Sequence, residues 1–247
     1  MWDYRNTSTE IKAGAPSVAV FGIGAIEQHS EHLPLCTDWY QVREVSQGVA
    51  RELNALLVPA LPYSMSQCHG PAPGTLWLRP ETLASVVRDV ITSLRSQGIH
   101  KVVVLNGHGG NFVLEPVIRE LNLTYPDMMI IRPLFDGGFV VADIFEHGDV
   151  ECHAGEIETS LMLAISPDLV RATRVDHVSE VGREFFDYAF LDKWTPDGMI
   201  GISSAGSAEK GRRALDVAVE RVVKATVETF AALELLRRDS SSAETEA

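Results

Sequence analysis

Twelve residues, Glu27-Gln28-His29-Ser30-Glu31-His32-Leu33-Pro34-Leu35-Cys36-Thr37-Asp38, hold five carboxylate and histidine side chains able to ligate a metal or carry a proton. Glu27-x-His29 followed by Asp38 is a mixed nitrogen and oxygen donor set suited to zinc, manganese or iron(II). The blander reading is a polar loop with solvated charges. Two later stretches add to it: Asn106-Gly107-His108-Gly109-Gly110-Asn111, and His153-Ala154-Gly155-Glu156-Ile157-Glu158-Thr159-Ser160. The first also suits a phosphate-binding turn, since exposed amides at a helix start attract anions, although it matches neither common nucleotide-binding pattern. In the second, Glu158 stands i, i+3, i+4 and i+7 from itself, Leu161, Met162 and Ile165, which places it on an apolar, core-facing stripe. A carboxylate there needs a partner such as a metal.

The elements that must position these groups read as an α/β protein, one domain with a mostly parallel central sheet flanked by helices. Val18–Ile23 is a short, continuous, β-branched run, hence a buried strand. The Glu27 cluster then falls at its carboxyl end, where ligands bind in open α/β sheets. Val42, Val45, Val49 and Leu53 predict a helix from Asp38 to about Leu53. Strands over Ala55–Ala60, Lys101–Leu105 and Met128–Ile131 alternate with helices from Pro80 to before Gly98 and from Phe112 to about Leu123. His108 leaves its strand at the same sheet edge as Glu27 and His29. Between lies a Gly- and Pro-rich loop, Tyr63–Thr75, long enough to shape a pocket. His69, Gly74 and Thr75 from that loop, Trp77 beside it, and Gly109, Gly110 and Asn111 are the candidate substrate-binding residues. Residues 1–14 form a polar lead-in, 135–152 a second loop, and 168–206 irregular chain with a turn at Trp194–Gly198. A long helix starts at Ser207, and the domain spans 1–238 with a disordered tail at 239–247.

Lys+Arg number 21 against 34 Asp+Glu, a net charge of −13. That balance argues against nucleic acid and anionic membranes as partners. No apolar run approaches the roughly 20 residues needed to cross a bilayer, and the first residues lack a signal-peptide pattern. Three cysteines, Cys36, Cys68 and Cys152, have no short spacing, so a reducing, cytoplasmic setting is expected.

Together these motifs resemble the creatininase family of metal-dependent amidohydrolases, over roughly residues 16–215. Pro73-Gly74-Thr75 and Ala208-Glu209-Lys210-Gly211 add to the resemblance. It implies two divalent ions per chain, zinc first, with manganese or iron(II) as alternatives. Asp38 would bridge them, Glu27 and His108 would hold one, and His29 and Glu158 the other. A water between the ions would attack the amide carbon of a small molecule, cyclic amide or formamide, and His153 would pass the proton to the leaving nitrogen. His153 and Glu158 are thus the candidate catalytic residues. The resemblance also implies a homo-oligomer, with a hexamer among the arrangements. This chain departs from the family pattern at Ser30-Glu31, where Gly-Pro is usual, and at Ala72, where an aromatic residue is usual. Gly110 stands where members acting on creatinine carry a carboxylate ligand, which points away from creatinine as substrate.

Two rival readings come from other classes. A thiol amidase would use Cys36, Cys68 or Cys152, each within two residues of a motif His or Asp. A non-catalytic binding protein could use the same fold.

Overall fold

The computed structural model describes residues 1–133, 143–180, 183–195 and 197–245. Part of the predicted 135–152 loop, Pro196 of the predicted turn and the last two residues of the predicted tail lie outside them.

Four strands form one parallel sheet: β1 (Val18–Ile23), β2 (Leu56–Leu61), β3 (Lys101–Asn106) and β4 (Met129–Ile131), in the order β2-β1-β3-β4. Successive side chains of a strand point to opposite faces, and here both faces are covered. Ala19, Phe21, Ile23, Val102 and Val104 pack under α3 (Pro80–Ser96) and α4 (Leu114–Thr124). Val20, Leu57, Val103 and Leu105 pack under α2 (Thr37–Glu52) and α6 (Ala208–Thr245). Burial on both faces is why these strands read as continuous apolar runs rather than alternating ones.

β1 and β3 pair in register from Val18 with Lys101 to Ile23 with Asn106. Their carboxyl ends therefore lie side by side, and the loops carrying Glu27 and His108 leave from neighbouring points. Both loops also close onto the first turn of α2. A Cβ on Gly24 would stand 2.5 Å from the Trp39 Cα, and one on Gly107 would stand 2.7 Å from the Val42 Cβ and 3.1 Å from the Asp38 carbonyl oxygen. Glycine at these two positions lets the loops approach Asp38.

The structure differs from the sequence reading in several elements. The polar lead-in contains α1 (Ser8–Gly14), started by a Thr7/Glu10 capping box. Trp2 pairs with Leu56, donating its N–H to Ala55 and accepting from Leu57. The stretch predicted as irregular holds a short antiparallel ribbon, β5 (Asp176–His177) with β6 (Gly201–Ile202). α5 (Glu156–Ile165) follows the second loop as the Glu158 periodicity leads one to expect, whereas α6 continues through Ser240-Ser241-Ser242 to Thr245, where the sequence predicts a disordered tail. Once a helix is nucleated, each added residue needs only one further backbone bond.

Candidate active site

Glu27, His29, Asp38, His69, His108 and His153 are all buried, and all meet at the carboxyl ends of β1 and β3. Glu27 and His29 come from the loop after β1, Asp38 from the first turn of α2, and His108 from the loop after β3. Glu158 comes from the first turn of α5, and its side chain is 20% exposed. It opens toward the cluster instead of lying on the core stripe. The fully buried carboxylate of α5 is Glu156, which pairs with Lys210 at 2.5 Å. α5 is buried almost all round, so apolar periodicity does not separate a core face from a site face.

His108 Nε2 donates to the Met65 carbonyl at 3.0 Å, and its Nδ1 faces Glu27 Oε1 at 3.2 Å and Asp38 Oδ2 at 3.1 Å. His29 Nδ1 donates to the Glu27 carbonyl at 3.1 Å, and its Nε2 faces Asp38 Oδ1 at 3.1 Å and Glu158 Oε2 at 3.6 Å. Each ring thus has one nitrogen tied to backbone and the other set between two carboxylates. The two oxygens of Asp38 belong to different sets. A lone pair facing two carboxylate oxygens requires a cation between them.

That cation is a proton or a metal. Burial disfavours charge on both rings, but the facing carboxylates outweigh it. His108 is raised to about 10 by Glu27 and Asp38, and His29 well above its ordinary value by Asp38 and Glu158. Burial would raise Glu27, yet His108 and His69 hold it well below the usual carboxylate range. A divalent ion would displace these protons. The donor set fits one: separations of 3.1–3.6 Å match the roughly 3.0–3.5 Å between neighbouring ligands bound at about 2.0–2.2 Å. Glu27 Oε2 is in addition buried without a hydrogen-bond partner. Among the described residues, three sets have ligand atoms within 4.8 Å of one another: Glu27, His29 and Asp38; His29, His153 and Glu158; and Glu27, His69 and His153.

The candidate substrate-binding residues are spread more widely. His69 lies 3.3 Å from Glu27 Oε1, and burial lowers its pKa to about 3. Thr75 Oγ1 accepts the N–H of Gln28 at 3.0 Å, and Trp77 is 48% exposed. Gly74 holds a positive φ of 86°. Gly109 is exposed. Gly110 has no room for a side chain, because a Cβ would meet His108 Nε2 and the Met65 carbonyl at 2.5 Å each. Asn111 acts as a brace, accepting from Met65 N at 3.1 Å and donating to Asn106 Oδ1 at 2.9 Å.

Two participants escaped the sequence reading. Glu151 accepts the N–H groups of Ile157 at 2.8 Å and Glu158 at 3.2 Å, and so holds the start of α5 in place of a side-chain cap. Burial, with Glu158 beside it, raises its carboxyl to about 8. Gln28 touches both His69 and His153. Its position inside the Glu-x-His pair was the available signal.

His32, fully buried, places Nε2 2.9 Å from Thr159 Oγ1. Burial, then Arg174 and His29, lowers its pKa to about 4 against the pull of Glu158. Its folded value lies below the unfolded 6.5, so this contribution to stability is complete above pH 6.5 and is lost as pH falls through 4. The gap is worth up to about 3 kcal/mol. Chelator-treated protein should lose stability over that window in denaturant titrations, and His32→Gln should lose less. Equal losses would show that His32 does not titrate there.

Comparison with known proteins agrees with this geometry. The Creatininase family, described as creatinine amidohydrolase, matches residues 5–226. A creatinine amidohydrolase of Pseudomonas putida is 33% identical over 245 residues, covering 88% of this chain and 92% of its own. A mycofactocin precursor peptide peptidase of Mycolicibacterium smegmatis is 31% identical, covering 66% of this chain and 63% of its own. A solved creatininase superposes with a TM-score of 0.79 at 27% identity, over 92% of this chain and 97% of its own. Solved creatininases include a mutant of Zn-Zn type and Creatininase Mn. With this match over most of its length, and with the family's motifs gathered at one sheet edge, the chain belongs to the creatininase family of amidohydrolases.

Proposed function

We propose that the chain hydrolyses a non-peptide C–N amide bond, cyclic amide or formamide, in a small molecule, using two divalent ions. The observation that carries this is Asp38, whose two oxygens each lie 3.1 Å from a different buried histidine. Glu27, His108 and Asp38 Oδ2 would hold one ion, and His29, Glu158 and Asp38 Oδ1 the other. Zinc is the first choice and manganese the second, in keeping with the solved creatininases; iron(II) suits the same donors. Bound ions polarise an amide carbonyl and lower the pKa of the attacking water.

The chain's own groups do the rest. His153 is neutral, its pKa lowered by burial and by His29, and its Nδ1 lies 3.9 Å from Glu27 Oε1. It can take a proton at Nδ1 and return it to the leaving nitrogen. Glu158 holds His29's side of the cluster and accepts the Ala154 N–H at 2.6 Å, which fixes the turn behind His153. Thr75, Trp77, Gly109 and Gly110, together with His69, would receive the substrate. The lack of space at Gly110 favours Glu158 as ligand and a substrate other than creatinine.

A thiol mechanism finds less support. Burial raises Cys36 and carries Cys68 up to about 12, away from the lowered pKa a nucleophilic thiol needs. The cytoplasm is the setting we assign, with all three cysteines free. No described helix is long and apolar enough to cross a membrane. Exposed Leu76, Trp77, Phe112 and Tyr188 offer surface for a homo-oligomer, with a hexamer among the arrangements. The test is a screen of cyclic amides, formamides and short peptides against metal-supplemented enzyme, following release of the amine. Turnover of a cyclic amide or formamide is expected. Cleavage confined to peptides would overturn the non-peptide assignment.

A further inference from the structure

We infer that Gln28 fixes both His69 and His153 in the Nε2–H form, so that His69 presents a donor to the cluster and His153 presents an acceptor. The inference rests on the reading of His153 as the proton carrier, and it follows from a hydrogen-bond network that admits one assignment.

Gln28's own amide is oriented by its neighbours. The Ser30 N–H donates at 3.0 Å and needs the Oε1 end, whereas the Gly198 carbonyl at 3.3 Å needs the Nε2 end. The second Nε2 hydrogen points to His69 Nδ1 at 2.8 Å. That nitrogen must accept, so the proton of neutral His69 sits on Nε2. Nε2 lies 3.3 Å from Glu27 Oε1. His69 is therefore a donor that orients a ligand carboxylate from outside, in the manner of outer-shell partners. It does not complete a metal set of Glu27, His69 and His153.

His153 Nε2 has two neighbours on Gln28, the backbone oxygen at 2.7 Å and the side-chain Nε2 at 3.1 Å. Only one can be its hydrogen-bond partner. A carbonyl oxygen can only accept, and at 2.7 Å an unprotonated Nε2 would set two lone pairs against each other. The proton is therefore on Nε2 and is given to the Gln28 carbonyl. The longer contact is then unbonded, which agrees with both amide hydrogens being used by His69 and Gly198. Nδ1 of His153 keeps its lone pair and faces the cluster. One residue thus gives two neighbouring histidines the same tautomer while their opposite edges meet the site. Gln28 is a positioning residue, acting through both rings.

Long-range proton–nitrogen NMR on zinc-loaded protein with labelled histidines reads this directly. With 8 histidines in the chain, His69→Gln and His153→Gln would assign the two signals. Both rings should show protonated Nε2 and unprotonated Nδ1. Gln28→Glu replaces the donor to His69 with an acceptor, so His69 Nδ1 should gain a proton. Turnover should then fall about 10- to 100-fold at unchanged zinc content. If that variant does not fold, Gln28→Met removes the donor at similar volume, and the His69 signals should shift toward a mixture of tautomers. A protonated Nδ1 on either ring of the wild type would overturn the inference, as would His69 signals unmoved by loss of the Gln28 amide. If the tautomers are as assigned but no amide is turned over, the proposed function fails and the positioning role stands.

Discussion

Asp38→Ala is expected to leave the protein without either ion and without turnover, whereas His29→Ala or Glu158→Ala removes mainly one ion. Asp38 is the residue shared by the two ligand sets, with Oδ1 beside His29 and Oδ2 beside His108, each at 3.1 Å. Losing it deletes one donor from each set, and with it one of the two carboxylates that each set contains. It also leaves two buried rings with fewer carboxylates, and uncompensated buried charge costs about 3–5 kcal/mol. Asp38→Asn therefore belongs beside the alanine variant, since it keeps the shape and hydrogen-bonding capacity while removing the charge. Metal content per folded chain, measured with turnover, checks both. Two ions per chain and normal activity in Asp38→Ala would sink the two-ion assignment.

His153→Gln should keep its metal and fold while losing about 10²–10⁴ in rate, the usual cost of a missing general acid or base. The reasons are geometric. His153 sits before α5 on a bridge to Ile200, and its Nε2 is committed to the Gln28 carbonyl. Its ring is 4.3 Å from His29 and 4.5 Å from His69, centroid to centroid, so it borders the cluster. The loss should be smallest for anilide-like substrates, whose weakly basic nitrogen departs with little protonation. Comparing turnover across good and poor leaving groups, alongside metal analysis, separates the roles. Metal falling in step with activity would make His153 a ligand.

Much of the frame was legible because burial on both faces makes a parallel strand conspicuous. Val18–Ile23 is a strand as expected, the strand expected over Lys101–Leu105 runs one residue further to Asn106, and their in-register pairing brings Glu27, His29 and His108 together. The α2 periodicity likewise gave Asp38 its place in the first turn. Elsewhere the physics hides from the sequence. Two-residue strands such as Asp176–His177 are too short to show a period. α1 has no buried residues, so only its Thr7/Glu10 cap could announce it. α5 is buried nearly all round, polar residues included, which hid the fact that Glu156 faces Lys210 and Glu158 faces the cluster. Gln28 meets His69, His153 and Gly198 across 41, 125 and 170 positions, and such pairings leave no trace in local spacing.

Metal titration into chelator-stripped protein, with bound ion and amide turnover read on the same samples, tests whether two ions carry the activity. The expected result is no turnover in the stripped protein, two ions bound per chain at saturation, and activity restored as the sites fill. Full turnover by the metal-free chain would contradict it.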